Sequence, residues 1–364
     1  MAAGAADAGR ALTAMTWGTG PQRARLADGR WHFQHGPIDL VIAADGEADA
    51  VAAALEAAWL RFVPLLGALA AELPVLRRDA RGLVRPTAAD GAGPVPRATV
   101  PMPVAGVVAA RMVQATAALG LRFDRFVTPM AAVAGAVAEH VAECFDRAGI
   151  RRASVNNGGD IALVLAPGAH WDIGVVADPS RPDVGATLRI ASADRPRGVA
   201  TSGWHGRSLS LGIADSVTVL ADDAPAADAA ATLIANEVDL PGHPRIVRRP
   251  ADEIRDGSDL GRLPVTVGVP DLAPEEIGSA LARGAAFARS VIDAGLARHA
   301  LLTLQGRTVA VGDDAAASAA RRVPGVALHV TMPDDAVPGA GPDRPARPPN
   351  RPQEPPTCPH RSAS

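Results

Sequence analysis

Apolar positions change their period several times along the chain. Residues 29–35 and 38–44 alternate, and Gly36-Pro37 between them is turn chemistry, so the fold is predicted to open with a hairpin. Residues 51–73 then carry apolar side chains at helical spacing, with a break expected at Pro64, which lacks a backbone donor. The stretch 76–103 is crowded with Arg, Gly and Pro and reads as loop. Two helices are predicted over 104–119 and 130–148, both rich in small residues that permit close packing, with Gly149 ending the second. The period then shortens to that of strands at 153–156, 161–165, 171–176, 187–191, 198–201 and 216–220. Asp222, Asp223 and Pro225 offer acceptors and a pre-set φ for a helix start, and 226–236 continues it in Ala-rich style. A strand over 264–269, a helix over 274–297 and a hairpin of 300–304 with 308–311 complete the pattern.

Strands before, between and after helices, without strict alternation, predict an α+β fold whose sheet is mixed or mainly antiparallel and packs against Ala-rich helices. One domain is expected over 25–312. Residues 1–24 are expected to be flexible, with Met15 as an alternative start, and the Pro-rich tail 313–364 to be disordered.

Composition narrows the chemistry. Of the 364 residues 48% are hydrophobic but only 3% aromatic, and Tyr is absent, so the core must be filled by Ala, Val, Leu and Ile. All 36 basic residues are Arg. Schiff-base chemistry, the phosphate-binding loop with its Lys and the protein-kinase Lys are therefore excluded. The net charge is −3, and acids and bases are interspersed, so no cationic surface for nucleic acid is expected. Cys144 and Cys358 stand in separate contexts, which fits neither a disulfide framework nor structural zinc and suggests a reducing compartment. Residues 1–10 lack the basic start and apolar core of a secretory signal, so a cytoplasmic location is expected. The apolar window 51–76 is interrupted by Glu56, Arg61 and Glu72, and 127–141 is too short, so neither is expected to span a membrane.

Three segments could carry chemistry. In the first, Asn156-Asn157-Gly158-Gly159-Asp160 joins two strands; paired glycines bring bare N–H groups close to an anion, although the same composition serves a plain hairpin turn. The second, Thr201-Ser202-Gly203-Trp204-His205-Gly206-Arg207-Ser208, combines hydroxyls, free amides and a guanidinium, the parts of a phosphate clasp. A triad of Ser202 or Ser208 with His205 and Asp215 is a weaker alternative, since no nucleophile elbow is present. In the third, Asp228 and Thr232 stand one helical turn apart, a carboxylate and a hydroxyl suited to a hard cation such as Mg²⁺, unless Thr232 bonds its own backbone. His140 and Cys144 read as a buried imidazole beside a small thiol rather than as metal ligands, and His32 and His35 have no identifiable partner.

Taken in order, these segments resemble the ApbE-like superfamily, the FAD:protein FMN transferases. The family's Gly-Gly-Asp corresponds to Gly158-Gly159-Asp160, its Ala-Thr-Ser-Gly to Ala200-Thr201-Ser202-Gly203 with a later Arg at Arg207, and its Ala-Asp-Ala-Leu-Ala-Thr to residues 227–232. The resemblance implies an α+β fold holding a flavin nucleotide such as FAD between sheet and helices. It implies Asp228 and Thr232 as Mg²⁺ ligands and Asn157, Gly158, Gly159, Asp160, Thr201, Ser202, Gly203 and Arg207 along the nucleotide, with His205 or Asp215 as acid or base. Where the family carries Lys-Gly-x-x-x-Asp, this chain has Ala134-Gly135-Ala136-Val137-Ala138-Glu139, and the family's His-x-x-Asp-Pro-x-Thr-Gly segment is absent. Gly36–Leu40, Thr128–Gly135 and Ala214–Val219 resemble an uncharacterised cytoplasmic branch. Two functions therefore stand: a flavin-nucleotide transferase, or a nucleotide-binding accessory protein that has lost the transfer. The partner is expected to be a small-molecule nucleotide, with a protein acceptor or a second copy of the chain as further possibilities.

Overall fold

The computed structural model describes residues 20–84, 104–178, 181–312 and the short strand Leu328–His329. The expectations for 1–19, for most of the loop 85–103 and for the tail beyond 312 lie outside the described residues. In chain order the strands β1 (Gln22–Arg25), β2 (Trp31–His35) and β3 (Ile38–Gly46) are followed by helices α1 (Ala48–Phe62), α2 (Leu65–Leu76), α3 (Val107–Phe123) and α4 (Val133–Ala142). Strands β4 (Ile150–Asn157), β5 (Asp160–Leu165), β6 (His170–Asp178), β7 (Arg181–Ala191), β8 (Gly198–Ser202) and β9 (Ser216–Ala221) precede helix α5 (Ala224–Glu237). The chain continues through β10 (Val247–Pro250), α6 (Ala251–Ile254), β11 (Pro264–Gly268), α7 (Pro274–Asp293), β12 (His299–Leu304), β13 (Arg307–Gly312) and β14 (Leu328–His329).

Nine strands form one sheet in the order β1-β2-β3-β4-β5-β8-β9-β12-β13, and every neighbouring pair in it is antiparallel. The α+β expectation holds, with the sheet antiparallel throughout. Side chains alternate across it. Val155, Ala162, Ala200, Val217, Val219 and Leu302 face the large core shared with the helices. Their neighbours Leu163, Val199, Leu220 and Leu301 face a smaller core with Trp171 and Ile173 of β6 and Ile190 of β7. All six residues of β9 are consequently buried.

Two predicted elements are corrected. The single helix over 130–148 is a 3₁₀ turn at Pro129–Ala132, then α4, then a second 3₁₀ turn at Glu143–Phe145; apolar spacing does not separate α from 3₁₀ geometry. Gly149, at φ +85°, does not cap that helix but leads into β4, where its carbonyl accepts the Glu47 N–H. Pro64 does separate α1 from α2, and Asp223 caps α5 by accepting the Ala226 N–H at 2.8 Å with Pro225 in the first turn. Among the described residues no single helix is long and apolar enough to cross a membrane, and α1 and α2, which would suffice only together, are bent by 42° and bury Phe62, Leu65 and Leu76 in the core.

Candidate functional site

The Gly158-Gly159 turn joins β4 to β5 as a two-residue hairpin, with Asn157 paired to Asp160 and both glycines at positive φ, +67° and +117°. This is the backbone that such a short connection demands, and it disfavours any side chain. Asn156 closes the turn by accepting the Gly159 N–H at 2.8 Å. Asn157 is buried; its amide donates to the Ala134 carbonyl at 3.2 Å, tying the hairpin to the start of α4. The segment is thus built as the hairpin turn that its composition allows.

Asp160 opens β5 on the face that carries Ala162, toward the helices, and accepts the Thr201 N–H at 3.2 Å. Asp228 approaches from α5, which packs on β8 and β9, and accepts the Gly135 N–H at 2.9 Å. Burial raises the Asp228 carboxyl well above the usual carboxylate range, the charge of Asp160 adds to the shift, and N–H groups of Gly135 and Ala134 oppose it. Burial likewise pushes Asp160 up to about 7, against the opposing Thr201 N–H and the Arg207 charge. Two acids thus act on one another from neighbouring elements, and the Arg207 charge acts on Asp160. Arg207 lies over the hairpin tip, where a Cβ on Gly158 would fall 2.4 Å from its Nη2. Arg255 fixes the backbone there by donating to the Arg207 carbonyl at 2.6 Å.

Helix α4 holds α5 at two points one turn apart. The Gly135 N–H reaches Asp228, and Glu139 accepts the Ala224 N–H at 2.9 Å at the start of α5. The helices touch so closely that a Cβ on Gly135 would fall 2.3 Å from the Ala224 carbonyl oxygen. The Gly and the acid of the Ala134–Glu139 stretch therefore position the Asp228 helix without any lysine. The Thr232 hydroxyl, one turn beyond Asp228, makes no hydrogen bond among the described residues, unlike that of Thr116, which bonds the Met112 carbonyl at 2.8 Å. The Thr232 side chain is available, not spent on its own backbone.

No group of three His, Cys, Asp or Glu side chains able to hold a metal occurs among the described residues. Asp228 and Thr232 stand one turn apart on α5 and Asp160 acts electrostatically on Asp228, so the oxygens of these residues could serve a hard cation such as Mg²⁺, which draws its remaining ligands from water and phosphate. Two like-charged, half-buried carboxylates are the kind of pair whose repulsion a cation relieves.

Beyond the end of β8, Gly203 approaches Asp215 so closely that a Cβ would fall 2.2 Å from the Asp215 carbonyl oxygen. Asp215 Oδ1 lies 3.4 Å from His205 Nε2 and accepts the Trp204 indole N–H at 3.3 Å. Its other oxygen accepts the Gln305 N–H at 2.5 Å. His205 and Asp215 are thus brought together, and the imidazole faces an acid rather than Ser202 or Ser208. Thr201 turns away from the helices, its hydroxyl 2.9 Å from that of Thr218. Gln305 and Arg255 were not singled out by the sequence; the β12–β13 turn and tertiary packing bring them in, and local spacing carries no trace of either, whereas Trp204 and Glu139 lie within segments named above without a role. Burial lowers the pKa of His140 to about 4, and Cys144 is buried, which pushes its thiol up. His32 does have a partner, Asp39, at 2.8 Å across β2 and β3.

Comparison with known proteins follows the same lines. Curated relatives include UPF0280 proteins of Methanosarcina acetivorans, 39% identical over 134 residues (36% of this chain, 49% of the relative), and of Methanocella arvoryzae, 42% identical over 132 residues (36% and 50%). The matched stretch spans about half the length of these relatives. Solved structures that align include the apo flavinyl transferase ApbE of Pseudomonas stutzeri, at 14% identity and a TM-score of 0.33 over 82% of this chain and 95% of that one. The flavin transferase ApbE of Vibrio cholerae aligns at 15% identity and a TM-score of 0.29 over 80% and 97%. The family model described as AbpE bacteria matches residues 23–310, nearly all of the described fold and every residue of the site, and the chain belongs to that ApbE-like family.

Proposed function

We propose that this protein binds a flavin nucleotide of the FAD type together with Mg²⁺. The observation that carries the reading is the pair of half-buried carboxylates, Asp160 from the sheet and Asp228 from α5, close enough for the charge of one to raise the other, beneath the glycine turn that Arg207 covers. In this reading Asp228 and Thr232 hold the cation, with Asp160 beside it. Asn157, Gly158, Gly159, Ser202 and Gly203 line the diphosphate, and Arg207 offsets its charge through a guanidinium fork, whereas Thr201, expected there from the sequence, gives its N–H to Asp160 and pairs its hydroxyl with that of Thr218 on the other face of the sheet. A bound Mg²⁺ would supply charge neutralisation at the phosphate oxygens. His205, oriented by Asp215, is the group placed to move a proton.

Calorimetric titration of Mg²⁺ with FAD into the wild-type chain and into Asp228→Ala tests the site. Loss of Mg²⁺-dependent binding in the variant is expected, and unchanged binding would refute the assignment.

A second reading is favoured by Ala134, which stands where the resembling transferases carry lysine, and by the lack of a His-x-x-Asp-Pro-x-Thr-Gly segment after Gly203. In that reading the protein keeps the nucleotide intact and serves as a binding or accessory protein. Incubation with FAD, Mg²⁺ and a candidate protein acceptor separates the two. Transfer breaks the pyrophosphate bond, releases AMP and adds an FMN-sized mass to the acceptor, whereas a binder returns intact FAD.

A further inference from the structure

The glycine turn, Arg207 and α5 provide for phosphate and metal but give the ring of the nucleotide no seat. The loop after β8 offers one. Trp204 and His205 lie ring against ring, their centroids 3.8 Å apart and their planes 36° from parallel. Asp215 fixes the edge of both, accepting the indole N–H at 3.3 Å and facing the imidazole Nε2 at 3.4 Å, and the Gln305 N–H holds Asp215 in turn. The Trp204 backbone is also tied down, its N–H donating to the Ala214 carbonyl at 3.0 Å. Each ring covers one face of the other, Trp204 is half-buried, and the His205 side chain is 34% exposed at the end of the pair.

The placement is informative in a chain with only 3% aromatic residues. Phe33, Trp59 and Phe62 pack on one another in the core. Phe123 packs on Phe287, and Trp171 lies under the Arg152 guanidinium. Trp204 and His205 instead stand between Ser202, where the strand ends, and Arg207, which covers the Gly158 turn. A ring resting there is joined to the phosphate path by a few residues of loop.

We propose that the Trp204–His205 pair is the stacking surface for the planar heteroaromatic ring of the bound nucleotide, an inference that rests on the phosphate and metal site described under Proposed function. Stacking draws on the π face common to all such rings, so an isoalloxazine and an adenine satisfy the same chemistry.

The test titrates the full chain, in Mg²⁺, with FAD, FMN, ADP and ringless inorganic pyrophosphate, using wild type, Trp204→Leu and Trp204→Phe. Trp204→Leu is expected to weaken FAD by about tenfold or more, the usual scale of one lost stacking partner, and to leave pyrophosphate unchanged. Trp204→Phe, which keeps a ring, should hold FAD within about threefold. Whichever of FMN and ADP loses affinity with FAD identifies the stacked ring. Unchanged FAD affinity in Trp204→Leu, or an equal loss of pyrophosphate, overturns the stacking surface, as does a wild-type chain that binds pyrophosphate but not FAD. A wild-type chain that binds neither overturns the phosphate site itself and the stacking surface with it. Should Trp204→Leu fail to fold, His205→Ala, at a partly exposed side chain, carries the same comparison, with a several-fold loss expected for FAD alone.

Discussion

Asp160 and Asp228 arrive from different elements, and neither forms an ion pair of its own among the described residues. Their raised pKa values fix the sign of a pH effect. An acid that titrates higher in the folded than in the unfolded chain holds a proton that the unfolded chain has released. Its favourable contribution is complete below the ordinary value of 3.8 and is lost as pH rises toward about 7. Without divalent cation, stability should therefore fall across that window for this pair, and Asp228→Asn, which removes one of the two charges, should flatten the fall. Thermal unfolding from pH 4 to 8 in EDTA checks this; a variant profile parallel to the wild type would be the contrary result. The sequence made both acids visible because each sits in a short, recognisable segment. It left open that they meet, since 68 positions separate them and only the packing of α5 on β8 and β9 brings them together.

At the scale of elements, the contact between α4 and α5 sets where Asp228 points. Gly135→Ala would place a methyl 2.3 Å from the Ala224 carbonyl oxygen and 3.0 Å from Asp228 Cβ. Backbone cannot yield as a flexible side chain does, so the helices must separate, at a cost of about 1–3 kcal/mol. Urea denaturation should register that loss, and Mg²⁺-dependent nucleotide binding should weaken by more than the same destabilisation placed at Leu220→Ala on the far side of the sheet. The small-residue character of α4 and α5 was readable from the sequence, and so was the start of α5 at Asp223 and Pro225. Strands β1 and β10 were not: Gln22–Arg25 is exposed at every position, and Val247–Pro250 contains two arginines and a proline, so neither carries the alternation that marks a buried strand. Edge pairing, which involves backbone alone, leaves little trace in side-chain pattern.

At the scale of the molecule, the nine-stranded sheet is covered by helices on one face and by the β6–β7 hairpin on part of the other, and the site lies on the helical face. A nucleotide bound between Asp160 and α5 bridges both layers, so its binding energy adds directly to global stability. At a free concentration of one hundred times the dissociation constant the gain is about 2.7 kcal/mol. The unfolding midpoint should rise when FAD and Mg²⁺ are supplied together, change little with either alone, and stay fixed in Asp228→Ala, as differential scanning calorimetry would report. The class of fold and the positions of most strands along the chain followed from periodicity. The order of the strands in the sheet, antiparallel from β1 at one edge to β13 at the other, did not, because β5 joins β8 only after the β6–β7 hairpin has been set aside from the main sheet.

The guanidinium of Arg207 rests where position 158 has no side chain, which makes this spot a lever for protein engineering. An alanine there would both strain a backbone held at φ +67° and evict the charge from above Asp160. Shortening Arg207 would remove that charge while sparing the turn. A designer can in this way separate the shape of the loop from its electrostatics, and so tune preference between dianionic and less charged ligands without touching α5.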